Sequence, residues 1–500
     1  MGNMKKAWIY ILFFVLVIPV TAEKSLSSRV KTFTLTNGMT FFVYERHALP
    51  TFAGAISVKV GSVDEKEGQT GLAHMFEHLA FKGTPVIGTR NYGKEKVILE
   101  QIDALGQTIA EEYRKGENAD TKLINDIKDQ IKKLQEQQRQ YTIKDQMAKL
   151  YAVNGGRDLN ALTSRDTTEY FVSLPVNRLE LWFLLESERF KYPVFRDFYV
   201  EKEVIAAERK EGEQGGNKPL TDEFLHAAFF IHPYRHPTIG YMHDLQCYTT
   251  AQVLDFFKTF YTPNNMIAAV VGDVNVETVK QLAEKYFGSL PNAPLPPRPQ
   301  FLEPAQRGER RVIVELDAEP KLIIGFHAPT YPDRDNLILF LINHMLVTGK
   351  SSRLYKELVL KEQLAQNIYG STEFPGARYP GLFIIFCEPR FPHTATELET
   401  AIYSQLELLK KEPVPAKEIE KIINQLEASF VENWEDNISI ALAIVRSVII
   451  NGDIDFKLKR LQSLRTITPR EIQETAKKYL NPSNRVVGIL LKKENGGRAK

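Results

Sequence analysis

Cysteine is almost missing from this chain. Its 500 residues hold two, Cys247 and Cys387, far apart and neither in a C-x-x-C pair. That excludes a disulfide-built scaffold and a cysteine-rich metal knuckle, and leaves open whether the two pair. Net charge is almost missing as well. Lys and Arg number 64 against 62 Asp and Glu, a balance of +2, so nothing points to a nucleic-acid surface. The apolar run at the N-terminus, from Ala7 to Val20, is too short for an ordinary transmembrane helix, which needs about 20 residues. It follows Lys5 and Lys6 and ends in Val20-Thr21-Ala22, the pattern of a secretory signal over 1–22 cleaved after Ala22. Its loss with Lys5 and Lys6 brings the charge to zero. The mature chain is thus expected outside the cytoplasm, secreted or periplasmic, or membrane-anchored if the signal is not cut. At 43% hydrophobic and 25% charged the 500-residue chain reads as ordinary globular protein, long enough for more than one domain.

Histidine is scarce too, ten residues in all, yet two of them stand four apart in GLAHMFEHLAFK, residues 71–82. His74, Glu77 and His78 form H-x-x-E-H, an arrangement tied to zinc hydrolysis. Phe52, Ile56, Val58 and Val60 before it alternate as a strand does, and Gly83 and Pro85 after it stop a helix. On a short helix the two imidazoles leave one face and can reach one metal ion. Glu77 lies on the same side, placed to act as a general base on water rather than as a ligand.

The flanking sequence has a readable order. Residues 31–44 form a hairpin around Asn37-Gly38. Residues 92–114 are helical, and 116–150 turn rich in Lys, Gln, Asp and Glu. There Ile124, Ile127, Ile131, Leu134 and Tyr141 keep helical spacing, with Gln138 interrupting the seam. This helical insertion, about 107–155, reads as a solvated arm packed on its own body or, alternatively, as a docking surface. Residues 158–175 return to strand. Leu179, Trp182, Phe183 and Phe190 mark a core helix after them, and the next helix, through 200–210, carries Glu201 and Glu208 two turns apart on one face. The chain then repeats itself. TTAQVLDFFKTFYTPNN (249–265) aligns without a gap on TPREIQETAKKYLNPSN (468–484), with Thr249, Lys258, Pro263 and Asn265 matching Thr468, Lys477, Pro482 and Asn484. Each copy is a helix, a Pro-Asn turn and an apolar strand. A proline-rich linker, 291–304, separates two related domains, 23–290 and 305–500, of which only the first has H-x-x-E-H.

With these features in order, the chain resembles the pitrilysin/insulinase family of zinc metallopeptidases in its half-size, processing-peptidase-like form. The resemblance rests on HMFEHLAFKGT, NALTSRDTTEY, EVIAAER, the repeated domain and GKSSRLYKELVLKEQLA. It implies an α+β fold of two related α/β-sandwich-like domains forming a clamshell around an unfolded peptide. It also implies one zinc ion per chain on His74, His78 and Glu208, with Glu77 as general base and Glu201 supporting the site from behind. Three protein ligands leave a position open for water. Asn160 and Ala161 match the strand on which the family lays its substrate.

Two departures accompany the resemblance. His78 and Glu208 lie further apart than is usual, which the charged insertion explains. In the second domain, the arginine and tyrosine with which family members stabilise the oxyanion fall on Val359 and Gln366, which cannot replace them. The expected function is a zinc endopeptidase that pairs with a homologous subunit carrying those two groups. The alternatives are a non-catalytic peptide-binding or structural subunit of an assembly, which would not need Glu77, and a structural zinc protein, which would need a fourth ligand.

Overall fold

The computed structural model describes residues 25–298, 301–432 and 436–493, so the expected signal at 1–22 lies outside it. β1 (Lys31–Thr34), β2 (Thr40–Glu45), β3 (Thr51–Val58), β4 (Arg157–Thr163), β5 (Thr168–Pro175) and β6 (Met266–Gly272) form one sheet in the order β1-β2-β6-β3-β5-β4. β7 (Arg310–Leu316), β8 (Lys321–Ala328), β9 (Ala365–Phe374), β10 (Gly381–Pro389) and β11 (Arg485–Lys492) form a second in the order β7-β11-β8-β10-β9. With β1 set aside, the wiring is the same ladder by ladder. β2 runs parallel to β6 as β7 does to β11. The antiparallel pairs β3–β6, β3–β5 and β4–β5 have their counterparts in β8–β11, β8–β10 and β9–β10.

The internal repeat has a physical basis in this geometry. Helix Thr250–Phe260 leads through Pro263–Asn265 into β6, and helix Pro469–Tyr479 through Pro482–Asn484 into β11. Gln252 accepts a hydrogen bond from the Thr249 amide at 2.9 Å, and Glu471 from the Thr468 amide at 2.8 Å, so both helices start with a side chain reaching back. At the other end Asn265 donates to the Phe260 carbonyl at 2.8 Å and Asn484 to that of Tyr479 at 2.9 Å. The matched asparagines each satisfy a carbonyl that the helix end leaves open.

Each sheet is covered on one face by its own half and on the other by a helix from the opposite half. Phe41, Val43, Phe52 and Ile56 enter the core of the first half. The alternate positions Phe42, Ala53 and Ala55, with Ala269 and Val271, meet Ile440, Ala441, Ile444 and Val445 of helix Asn437–Asn451. Reciprocally, Leu220 and Phe224 of helix Asn217–Ala228 pack on Ile323, Ile384, Val486 and Leu490 of the second sheet. A Cβ on Gly325 would lie 2.6 Å from the Phe224 ring, so glycine there makes the space that the ring fills. Phe224→Ala is expected to destabilise the protein by about 3–5 kcal/mol. Urea unfolding checks this, and a loss under about 1 kcal/mol would mean the two halves do not depend on the crossed helix.

The charged insertion is a helical hairpin. Tyr92–Arg114 and Thr121–Gln138 bury Ile102, Ile109, Ile124, Ile127 and Ile131 between them. Gln138, which breaks the apolar seam, is buried and donates to Glu95 at 3.0 Å. Glu95 is in turn gripped by Arg196 at 2.8 and 3.0 Å. The arm is therefore fastened at its base by a satisfied polar network. The proline-rich stretch is also held down. Arg298 donates to the Lys59 carbonyl, and Glu303 accepts from the amides of Phe230, Ile231 and His232. Cys247 and Cys387 are buried free thiols. Among the described residues no single helix is long and apolar enough to cross a membrane.

Candidate active site

Helix Leu72–Leu79 carries the H-x-x-E-H motif, and its amphipathicity decides what faces out. Leu72, Ala73, Met75, Phe76 and Leu79 are buried in the first core, which leaves His74, Glu77 and His78 half-buried on the other side. The helix starts at Gly71, whose φ of 91° is left-handed and where a Cβ would lie 2.7 Å from the Ile239 carbonyl oxygen. Glu65 then accepts from the amides of Gly71 and Ala73, both at 2.8 Å, and fixes the first turn.

Helix Phe198–Gln214 lies across the motif helix and brings in the two acidic residues. Glu208 Oε2 is 3.8 Å from His74 Nε2. One nitrogen from each of His74 and His78 and one carboxylate oxygen of Glu208 all lie within 4.8 Å of one another. Glu201 sits behind this trio, 3.1 Å from His78 Nδ1 and 2.6 Å from Lys82 Nζ. That contact orients the His78 ring and leaves its Nε2 available as a donor atom. His74 Nδ1 is buried without a hydrogen-bond partner among the described residues, so none of them holds that ring through its far nitrogen. Two imidazoles and a carboxylate suit zinc, and Glu208, nearly half exposed, keeps the trio open to solvent.

Local electrostatics favour the same donor set. Burial, aided by His78 and Lys218, pulls the His74 pKa down to about 3, which keeps its lone pair free. Burial also lowers His78, but the hydrogen bond and charge of Glu201, with Glu77 and Glu208, outweigh it and leave the net shift upward. Burial pushes the Glu77 carboxyl up, against the opposing Thr163 hydrogen bond.

Thr163 is a residue that the motif did not single out. Its Oγ1 donates to Glu77 Oε2 at 2.5 Å from the end of β4. Asn160 and Ala161 lie on the same strand, at the edge of the sheet, paired with Phe171 and Tyr170 of β5. Asn160 is exposed, and its Oδ1 accepts from the Ala161 amide at 2.9 Å. Val359 and Gln366 belong to the second half. Val359 packs half-buried against that core, and Gln366 is exposed on β9. Beside the trio opens a pocket of about 320 Å³ lined by His74, Thr163, Arg165, Glu208, Lys218 and Asp222 among others.

Two family descriptions match this chain: Insulinase (Peptidase family M16) over residues 42–120 and 137–241, and Peptidase M16 inactive domain over 248–426. The gap at 121–136 falls on the second helix of the charged hairpin. The zinc protease PqqE of Helicobacter pylori is 28% identical over 405 residues, 79% of this chain and 78% of that protein. An uncharacterized zinc protease of Streptomyces coelicolor is 23% identical over 93% of this chain and 91% of its own length. Among solved structures, a protease from Helicobacter pylori superposes with a TM-score of 0.75 at 25% identity, covering 92% of this chain and 99% of that one. Pitrilysin shares the fold with a TM-score of 0.68 at 16% identity, and the match covers 96% of this chain but 46% of pitrilysin. Two M16 descriptions in sequence, on two sheets of matching topology, make the chain a member of the M16 family, the insulinase and pitrilysin peptidases, at about half the length of pitrilysin.

Proposed function

We propose that this protein is a zinc-dependent endopeptidase acting on unfolded peptides outside the cytoplasm, and that it is the catalytic member of a heterodimer. The observation that carries the reading is the convergence of His74, His78 and Glu208 within 4.8 Å, with the Glu77 carboxylate held beside them by Thr163. His74, His78 and Glu208 would hold the metal. Zinc held there would lower the pKa of water and polarise a peptide carbonyl. Glu77 would take on its carboxylate the proton of the water whose oxygen bonds to the carbonyl carbon, and deliver it to the amine released as the C–N bond breaks. Thr163 keeps the carboxylate aimed while this happens. The exposed edge of β4 at Asn160 and Ala161 offers backbone groups to an extended peptide, which would bind as an added strand. A purely structural subunit would have no use for a half-buried, oriented glutamate beside an open set of three candidate ligands.

The partner follows from what the second half lacks. Val359 has no donor and Gln366 no charge where the oxyanion pair is expected. Pitrilysin, about twice as long, has room for two chains of this size, four such halves, in one polypeptide. A second, similar chain would complement this one across the clamshell. Location rests on the sequence of 1–22, and a solved relative of 17% identity is titled the periplasmic protease PqqL of Escherichia coli.

One experiment addresses all of this. Protein isolated from its native compartment should begin near Glu23 and contain one zinc. Alone it should cleave unfolded peptides feebly, and the co-purifying homologue should raise the rate about 10²–10³-fold. Full activity from the isolated chain would remove the heterodimer. No zinc and no hydrolysis in either form would remove the peptidase reading itself.

A further inference from the structure

Two cations beside the candidate metal centre have no task in the scheme above. Arg165 lies in the turn between β4 and β5, and Lys218 in the first turn of helix Asn217–Ala228. Both line the pocket that also holds His74, Glu208 and Asp222. The Arg165 Nε is buried with no hydrogen-bond partner. Lys218 is exposed and stretches over Gly212, one turn past Glu208, where a Cβ would lie 2.6 Å from its Nζ. Its charge is felt at His74.

The carboxylates of the pocket are engaged elsewhere. Glu208 faces His74 at 3.8 Å, and Asp222 is 3.5 Å from Arg209. Asp222 feels Arg165 and Lys218 through space, but neither reaches it within ion-pair distance. A guanidinium nitrogen removed from water and left without a hydrogen-bond partner, as the Arg165 Nε is, is costly. A pocket that keeps such a group, with the Lys218 ammonium nearby, in no ion pair among the described residues, and an open mouth, is suited to an anion that arrives with the ligand.

We propose that Arg165 and Lys218 receive the side-chain carboxylate of a substrate residue next to the scissile bond, so that the enzyme prefers peptides with Glu or Asp at that place. The inference rests on the peptidase reading and adds a substrate class to it. The pocket adjoins His74 and Glu208 directly, so a peptide whose carbonyl approaches the metal centre brings its neighbouring side chain here. Charge, rather than shape, sets the preference, because the two cations Arg165 and Lys218 stand in the lining of the pocket.

Internally quenched peptides differing only in Glu, Gln or Lys beside the bond test this, with wild-type protein and its co-purifying partner. The Glu peptide should exceed the Gln peptide about tenfold in kcat/KM, with Lys slowest. High salt should shrink the ratio. Lys218→Glu should reverse the order of the Glu and Lys peptides, and Arg165→Met should reduce the Glu preference. Arg165 sits in a packed turn, so if Arg165→Met fails to fold, the exposed Lys218 variant decides. Equal rates for Glu and Gln, or an unchanged ratio in Lys218→Glu, would overturn the proposal and leave the peptidase reading standing. If no peptide is cut, the peptidase reading fails first. The same peptides are then titrated by fluorescence anisotropy, and equal Kd values for Glu and Gln overturn the carboxylate pocket as well.

Discussion

Glu77→Gln is expected to keep its zinc and to lose peptide hydrolysis by about 10²–10⁴-fold. The substitution preserves shape and removes only the ability to carry a proton. Thr163 Oγ1, 2.5 Å from Glu77 Oε2, can still donate to the amide oxygen, so the side chain should stay in place. Glu77 is not one of the three grouped residues that could hold a metal ion, and metal content should therefore not follow activity. Zinc measured by mass spectrometry of the metal, alongside hydrolysis of an unfolded peptide, separates the two quantities. A variant that retains full activity would show that the proton passes through another group. A variant that loses its zinc would make Glu77 a ligand and not a base.

The second large effect concerns the helix that brings the distant glutamates. Glu208→Ala should abolish stable zinc binding, because one of three protein ligands disappears and only His74 and His78 remain. Glu201→Ala should act more weakly, about 10–100-fold on metal affinity, since its carboxylate orients His78 at 3.1 Å rather than joining the trio. The contrast matters more than either value. Both residues lie on helix Phe198–Gln214, two turns apart, and both face the motif helix. Competition with a chelator of known affinity ranks the two variants. If Glu208→Ala keeps full zinc and turnover, or if Glu201→Ala proves the more damaging, the roles have been assigned the wrong way round.

Much of this molecule is local information. H-x-x-E-H on an amphipathic helix places His74, Glu77 and His78 together because a helix repeats every 3.6 residues and the apolar side must turn inward. The two copies of helix, Pro-Asn turn and strand are also legible, because Asn265 and Asn484 each make the same short-range bond to their own helix ends. The spacing of Glu201 and Glu208 puts both on one face for the same reason. Resemblance then supplied the pairing of that face with the motif.

Other properties depend on contacts between residues far apart in the chain, and no periodicity encodes those. Gln138 reads as a flaw in a seam until Glu95, 43 positions earlier, is found bonded to it and to Arg196. Nothing in the sequence of Asn217–Ala228 or Asn437–Asn451 says that each covers the sheet of the other half. That depends on Ala53, Ala55, Ala269 and Gly325, which are small enough to admit the crossing side chains. Thr163 is an ordinary strand residue until the β4 edge arrives beside Glu77. Arg165 and Lys218, 53 positions apart, meet in one pocket only because the β4–β5 turn and the start of a later helix converge there. Helical repeat puts His74, Glu77 and His78 on one face and Glu201 with Glu208 on another, while tertiary packing joins the two helices and sets their surroundings, since hydrogen bonds and desolvation act through space and not along the chain.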